Sequence, residues 1–196
     1  HRVDRRQRQM CIRDRNYAYS KNVEITIDAE EQDRLSLSLY IIEKIAYEKN
    51  IKDWSGFGIA LQAYGKRSLD VINWLNNILK KREQMHLRLV KGAYWDYEIK
   101  NAQVAGYEGY PVFSKKSLTD IAYIACAKEI LKNKKIFPKF ATHNAHTISS
   151  IHHIGNNCNY EFQRLYGMGE LLYKSASQIL GINNNPSVYA PIGSYK

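Results

Sequence analysis

Arg88 and Lys91 stand three residues apart, in the string Arg88-Leu89-Val90-Lys91-Gly92-Ala93-Tyr94-Trp95-Asp96. The run begins as a strand in which Met85, Leu87 and Leu89 take one face and His86, Arg88 and Val90 the other. A guanidinium on an otherwise apolar strand needs an electron-rich partner, because burying it alone costs several kcal/mol. A glycine turn carrying Lys91 follows, with Tyr94 and Trp95 behind it. Two fixed cations beside flat rings suit a planar, anionic ligand. A surface hairpin with solvated charges is the competing reading of this segment.

The elements around it alternate. Strands are expected at Val23–Ile27, Phe57–Ala63, Met85–Val90, Phe140–Thr142, Tyr160–Leu165 and Val188–Ala190. Between them, apolar residues recur at three- and four-residue steps, as in Leu35, Leu39, Ile42 and Ala46 or Leu69, Ile72, Leu75 and Leu79. Asp28 with Glu31, and Ser117 with Asp120, have capping-box spacing and are expected to open helices. Alternating strands and helices without hairpin signals argue for parallel strands joined by crossover helices. An open doubly wound sheet and a (β/α)8 barrel compete. No G-x-G-x-x-G follows the first strand, which counts against the dinucleotide-binding open sheet.

The barrel makes the sharper prediction, since its strands end in functional polar residues. Here those ends carry Asp28, Gln62, Arg88 with Lys91, His143, Gln163 and Tyr189, while Ile25, Leu61, Leu89, Ala141 and Phe162 are expected to face the helices. The α/β barrel is favoured on that pattern. A barrel of this kind takes about 250 residues. This chain has 196 and offers about six βα units, so it is expected to be an incomplete (β/α)8 barrel.

Composition narrows the class. The chain is 44% hydrophobic and 24% charged, ordinary for a globular domain. No run of about 18 apolar residues occurs and no leader pattern opens the chain. Cys11, Cys126 and Cys158 form no C-x-x-C pair, which fits a reducing compartment such as the cytoplasm. Residues 1–15 hold six Arg and two Asp with almost no apolar pattern, and read as a disordered arm or as material foreign to the domain. The rest of the net charge of +10 is spread over helix faces, where solvation is the default, and no nucleic-acid contact is expected of this segment. The 15 Tyr fall mostly at helical or strand spacing, as core and pocket lining rather than base-stacking platforms. His143, His146, His152 and His153 raise a metal site. The first pair straddles a strand–helix junction and the second pair diverges on a helix, so no metal is expected.

Seven strings together resemble the proline dehydrogenase domain of the bacterial bifunctional proline utilisation A flavoenzymes. They are ITIDAEEQDRLSLSL at 25–39, QAYGKR at 62–67, RLVKGAYWDYEIKNAQ at 88–103, EGYPVFSKK at 108–116, FATHNAHT at 140–147, YEFQRLYGMGE at 160–170 and VYAPIG at 188–193. They keep the family's order over roughly residues 16–193. The resemblance implies a distorted barrel holding FAD. The implied reaction oxidises L-proline to Δ1-pyrroline-5-carboxylate by hydride transfer to flavin N5, as the first step of proline catabolism. The implied electron acceptor is a quinone, and the parent enzyme would be cytoplasmic and touch the membrane peripherally when reduced.

Position by position, the resemblance puts Gln62 and Arg88 on the isoalloxazine, with Arg88 close to N5. It puts Val90, Lys91, Gly92, Ala93, Tyr94 and Trp95 along the flavin, Lys115 and Lys116 near its phosphates, and Thr142, His143, Asn144 and Gln163 in contact with the cofactor. Asp28, Ala93, Tyr94, Leu165 and Tyr189 are implied to shape the proline pocket, and Asp28, Arg88 and Tyr189 to be catalytic. Two departures matter. Ser114-Lys115-Lys116 stands where the family often has Thr-Arg-Lys, so Lys115 keeps charge without the planar fork. The family's adjacent Arg pair, which clamps the proline carboxylate, lies past the VYAPIG strand, and its first-strand Lys has no counterpart in residues 1–15. The segment is therefore expected to be truncated at both ends, to comprise a partial barrel over 16–196, and to turn over proline weakly or not at all by itself.

Overall fold

The computed structural model describes residues 2–49, 51–182 and 185–192; of residues 2–8, 10 and 11 it describes the backbone alone. The six described strands form one sheet in sequence order, every neighbour parallel: β1 (Ile25–Ile27), β2 (Phe57–Gln62), β3 (Met85–Val90), β4 (Ile136–Ala141), β5 (Glu161–Leu165) and β6 (Ser187–Tyr189). The crossovers are α2 (Leu35–Ala46), α3 (Ser68–Ile78), α4 (Trp95–Val104), α5 (Lys116–Lys132), α6 (Ala145–Ile154) and α7 (Glu170–Leu180), preceded by α1 (Arg2–Ser20). Six parallel strands in a curled arc, ringed by helices, make the fold an incomplete (β/α)8 barrel of the α/β class.

Register divides the two faces. Leu61, Leu89, Phe140 and Phe162 are neighbours across β2 to β5 and turn outward, 4% exposed or less, against the helices. Ile59, Leu87, Met85, Val71, Leu75, Tyr123 and Ile130 complete that sheet–helix core. The other face carries Ala60, Arg88, Lys139 and Glu161 in one register row and Ala141 with Gln163 in the next. One face thus supplies burial and the other is left for polar groups.

Arg82 fastens the floor. Its guanidinium donates to the carbonyls of Gln84, Ala46 (2.9 Å) and Trp54, and stacks on Phe57. This ties the end of α2 to the start of β3. Burial draws its pKa down to about 10.

Four expectations are corrected. Residues 2–15 lie in α1. Ile12 packs against the core, Tyr19 sets its ring edge-on to Trp54 at 5.4 Å, and Arg15 is buried on Glu48 at 2.7 Å. Among the described side chains of the segment, the most buried is that of Arg15, which leaves no apolar pattern. Neither capping box forms. α2 starts only at Leu35 and α5 at Lys116, and neither has a side-chain cap. Asp28 and Asp120 are drawn into long-range ion pairs instead. Finally, β4 begins at Ile136, four residues before its expected start, and Phe140 rather than Ala141 faces the helices.

Replacing Arg82 by Met should leave three carbonyls without their donor. Chemical denaturation should show a loss of about 3 kcal/mol. A loss under about 1 kcal/mol would mean that water replaces the guanidinium freely.

Candidate active site

The carboxyl ends of the strands surround a cavity of about 620 Å³, within the range of small-molecule and cofactor sites. Asp28 enters from the end of β1, Gln62 from β2, Arg88 and Val90 from β3, Gln163 and Leu165 from β5 and Tyr189 from β6. The loop after β3 adds Lys91, Gly92, Ala93 and Tyr94, the loop after β4 adds Thr142, His143 and Asn144, and α5 adds Lys116. These residues span more than 160 positions of the chain, and the parallel register brings them to one rim.

Arg88 is the centre. Its guanidinium pairs with the Asp28 carboxylate and lies 5.0 Å from the centre of the Tyr189 ring. Burial lowers its pKa, and Tyr189 opposes that shift. The electron-rich partner expected for a cation on this strand therefore exists, supplied by the first strand and by the sixth.

Gln62 is a brace. Its side-chain amide donates to the carbonyl of Glu30 at 2.8 Å and its oxygen accepts from the Ala93 N–H at 2.9 Å. Both functions go to backbone, so Gln62 fixes the turn after β3 to the loop after β1. Gly92 in that turn has φ +146°, and a Cβ there would meet the Tyr64 ring at 2.5 Å. Only glycine lets the backbone follow this path. Burial drives the Tyr64 hydroxyl up to about 12, keeping it neutral.

The basic side of the rim is organised by Asp120, which accepts from Lys91 and, at 2.8 Å, from Lys116. Its carboxyl is held below the usual aspartate value, through Lys116 first and Lys91 second. On the far side, Nε2 of His143 accepts from the Leu165 N–H at 3.0 Å. A neutral His143 therefore bears its proton on Nδ1. Asn144 caps α6, its side-chain oxygen accepting from the Thr147 N–H at 2.9 Å.

Fifteen of the seventeen residues expected at the site sit on the cavity wall. Trp95 and Lys115 do not. The Trp95 indole donates to the Phe113 carbonyl at 2.9 Å and braces the loop before α5, while Lys115 is the residue that precedes α5. Sequence reasoning also missed lining residues. Ala29, Ala60, Ala141 and Arg164 border the cavity, and Asp120 links its lysines. The small residues leave no chemical signature. Asp120 was legible as a charge four positions after Lys116, a helical pair spacing. Among the described residues, no group of three or more His, Cys, Asp or Glu could hold a metal ion.

The wall suits a flavin. It offers space lined by alanines and a glycine, the cations Arg88, Lys91 and Lys116, and the buried oxygen of Gln163, which has no hydrogen-bond partner among the described residues. A flavin ring and its diphosphate would supply planarity, negative charge and an N–H donor.

Known proteins agree in fold and sequence. Residues 11–196 match the family model described as proline dehydrogenase. The bifunctional protein PutA of Salmonella typhimurium strain LT2 is 46% identical over 184 residues, covering 89% of this chain and 14% of the relative. That of Rhizobium meliloti is 38% identical, covering 91% of this chain and 15% of the relative. The chain thus spans about one seventh of the curated relatives it matches. The structure of proline utilization A with proline bound in remote sites superposes with a TM-score of 0.91 at 40% identity, over 96% of this chain and 20% of that one. Proline utilization A from Bdellovibrio bacteriovorus, inactivated by N-propargylglycine, gives 0.90 at 32% identity, over 97% and 20%. The chain belongs to the proline dehydrogenase family, and its sequence and fold match the proline dehydrogenase domain of proline utilization A.

Proposed function

We propose that the cavity holds FAD and that the parent protein oxidises L-proline to Δ1-pyrroline-5-carboxylate. The observation that carries this reading is the half-buried Arg88, clamped between Asp28 and Tyr189 on the wall of a cavity of cofactor size. When bound, FAD supplies the acceptor for the hydride that leaves the proline carbon next to nitrogen. The protein's share is orientation, electrostatics and exclusion of water.

Arg88 holds a fixed positive charge where negative charge develops on reduction, and Asp28 and Tyr189 keep it in place. Lys91 and Lys116, tied to Asp120, stand where a diphosphate would lie. Gln62 and Gly92 hold the turn after β3 flat so that its backbone can approach a ring. Leu165, Tyr189, Ala93 and Tyr94 supply the apolar wall that would face the proline ring. Asp28 is the carboxylate on that wall able to meet the substrate amine. His143, Thr142, Asn144 and Gln163 complete the cofactor side in this reading. The acceptor beyond FAD is a quinone. In this reading the parent protein meets the quinone by peripheral contact with the membrane; no described helix is long and apolar enough to cross one.

The decisive measurement is the visible spectrum of the chain after FAD addition and gel filtration, before and after anaerobic L-proline. A retained flavin band that bleaches with proline supports both cofactor and substrate. A protein that stays colourless, also in a longer chain continued as its relatives are, overturns the flavin reading.

Two variants probe the rim. Gly92→Ala should weaken FAD binding at least about tenfold by equilibrium titration, because relieving the clash with Tyr64 moves the turn. Binding unchanged within twofold would mean that the turn does not touch the cofactor. Asp120→Asn should lower the melting temperature at neutral pH. The sign of its pH dependence follows from the depressed carboxyl: stability is present above the unfolded aspartate's pKa and is lost as pH falls through the folded one. Melting curves of Asp120→Asn and the unchanged protein should therefore converge in acid. A gap independent of pH would assign the loss to packing.

A further inference from the structure

Beneath the cofactor rim, the interior of the sheet holds a charged layer that the reading above does not use. Lys139 of β4 is 6% exposed and faces two carboxylates, Glu24 just before β1 and Glu161 of β5. Lys139 and Glu161 are register neighbours, and Gln163 sits two residues further along β5 on the same face. The Gln163 amide donates from Nε2 to Glu161 Oε1 at 2.7 Å. Its oxygen, Oε1, is buried without a partner on the wall of the cavity.

These contacts divide the labour of the two carboxylates. Glu24 makes the close hydrogen bond to Lys139, whereas Glu161 lies 3.6 Å from it, beyond hydrogen-bonding distance. Lys139 therefore does not need Glu161 as its hydrogen-bond partner. The oxygen of Glu161 nearest to Lys139 is spent on Gln163 instead. A carboxylate only accepts, so it dictates which end of the Gln163 amide points toward it. Turning the amide over would set its oxygen against the carboxylate oxygen and break a charge-assisted hydrogen bond.

We propose that Glu161, seated beside the buried Lys139, is a positioning residue that fixes the Gln163 amide so that its oxygen is the atom offered to the bound ligand. The cavity then presents an acceptor at this point, and an unmatched buried acceptor selects a ligand with an N–H there. This rests on the flavin reading, in which the matching donor is N3–H of the isoalloxazine, the N–H on the edge of the oxidised ring.

The test is the titration of the N3 proton of oxidised FAD bound to the full chain, read from its absorption spectrum. An acceptor stabilises the protonated form, so N3 should titrate about one pH unit above free FAD. In Glu161→Gln the neutral partner can accept or donate, the Gln163 amide can turn to donate to the deprotonated ring, and the titration should fall by about two pH units, to below that of free FAD. Mere loosening of the site would return it toward free FAD without passing below. A Glu161→Gln titration that superimposes on the unchanged protein overturns the proposal while leaving the flavin reading intact. Failure of the unchanged protein to bind FAD overturns the N3–H assignment together with that reading. The unchanged protein without FAD provides a check independent of any variant. Nuclear Overhauser contacts from the Gln163 amide protons to the Glu161 side chain are expected, and amide protons remote from Glu161 would overturn the positioning role.

Discussion

The arrangement depends on one half-buried cation. Arg88 projects into the interior of a parallel sheet, where an unpaired guanidinium would cost several kcal/mol. Its partners come from opposite ends of the sheet: Asp28 follows β1 and Tyr189 ends β6. That constraint is structural before it is functional. It requires the arc to curl, because a flat sheet would hold β1 and β6 too far apart to share β3's side chain. The strands are 4.7–4.9 Å apart in the hydrogen-bonding direction, so six laid flat would span more than about 20 Å. Curling is what turns six strand ends into one rim.

Charge placement extends the same logic. The rim cations each have a carboxylate: Asp28 for Arg88, and Asp120 for Lys91 and Lys116. These pairs leave Asp120 shared between two lysines, so the basic side keeps a net positive charge toward the cavity. Below the rim, Lys139 is matched by Glu24 and Glu161. Isolated ion pairs of this kind add little stability, since desolvation offsets attraction. Their value here is geometric, in holding long side chains at fixed places around an open space.

Much of this was legible because the two faces of each strand obey different rules. Met85–Val90 was read as a strand with its charged face inward, and the structure agrees residue for residue. The rim residues were legible as polar groups in register at strand ends, and the family strings implied roles for them. What failed was local inference about side chains with distant partners. Asp28 and Asp120 have capping spacing, yet each meets a cation from another element. A cap is worth about 1 kcal/mol, and a carboxylate near a half-buried cation is the stronger claim. Arg15 likewise looks solvated in sequence and is buried with Glu48 as its ion-pair partner. Ala141 was assigned to the wrong face because β4 opens with Ile136-Phe137-Pro138, where apolar residues on both faces hide the alternation.

The division of faces also accounts for how a barrel of this kind can change chemistry without losing its fold. The stabilising core lies between sheet and helices, in Leu61, Leu87, Leu89, Phe140, Phe162 and the helix residues they meet. Large-to-small changes there cost about 2–5 kcal/mol, a large part of the net stability of a domain. The inward row contributes far less apolar burial. Ala60 and Ala141 are small, Arg88 is satisfied by Asp28, and Lys139 by Glu24 and Glu161, rather than by packing. A change on that face therefore registers first in ligand binding and charge balance, and only second in folding. Residues that violate this separation are the ones to watch. Gln62 is inward yet spends both ends of its amide on backbone, so it belongs to the fold and to the site at once. Through it, the position of the turn after β3 is set by the loop after β1, and cofactor-facing backbone inherits the rigidity of the sheet.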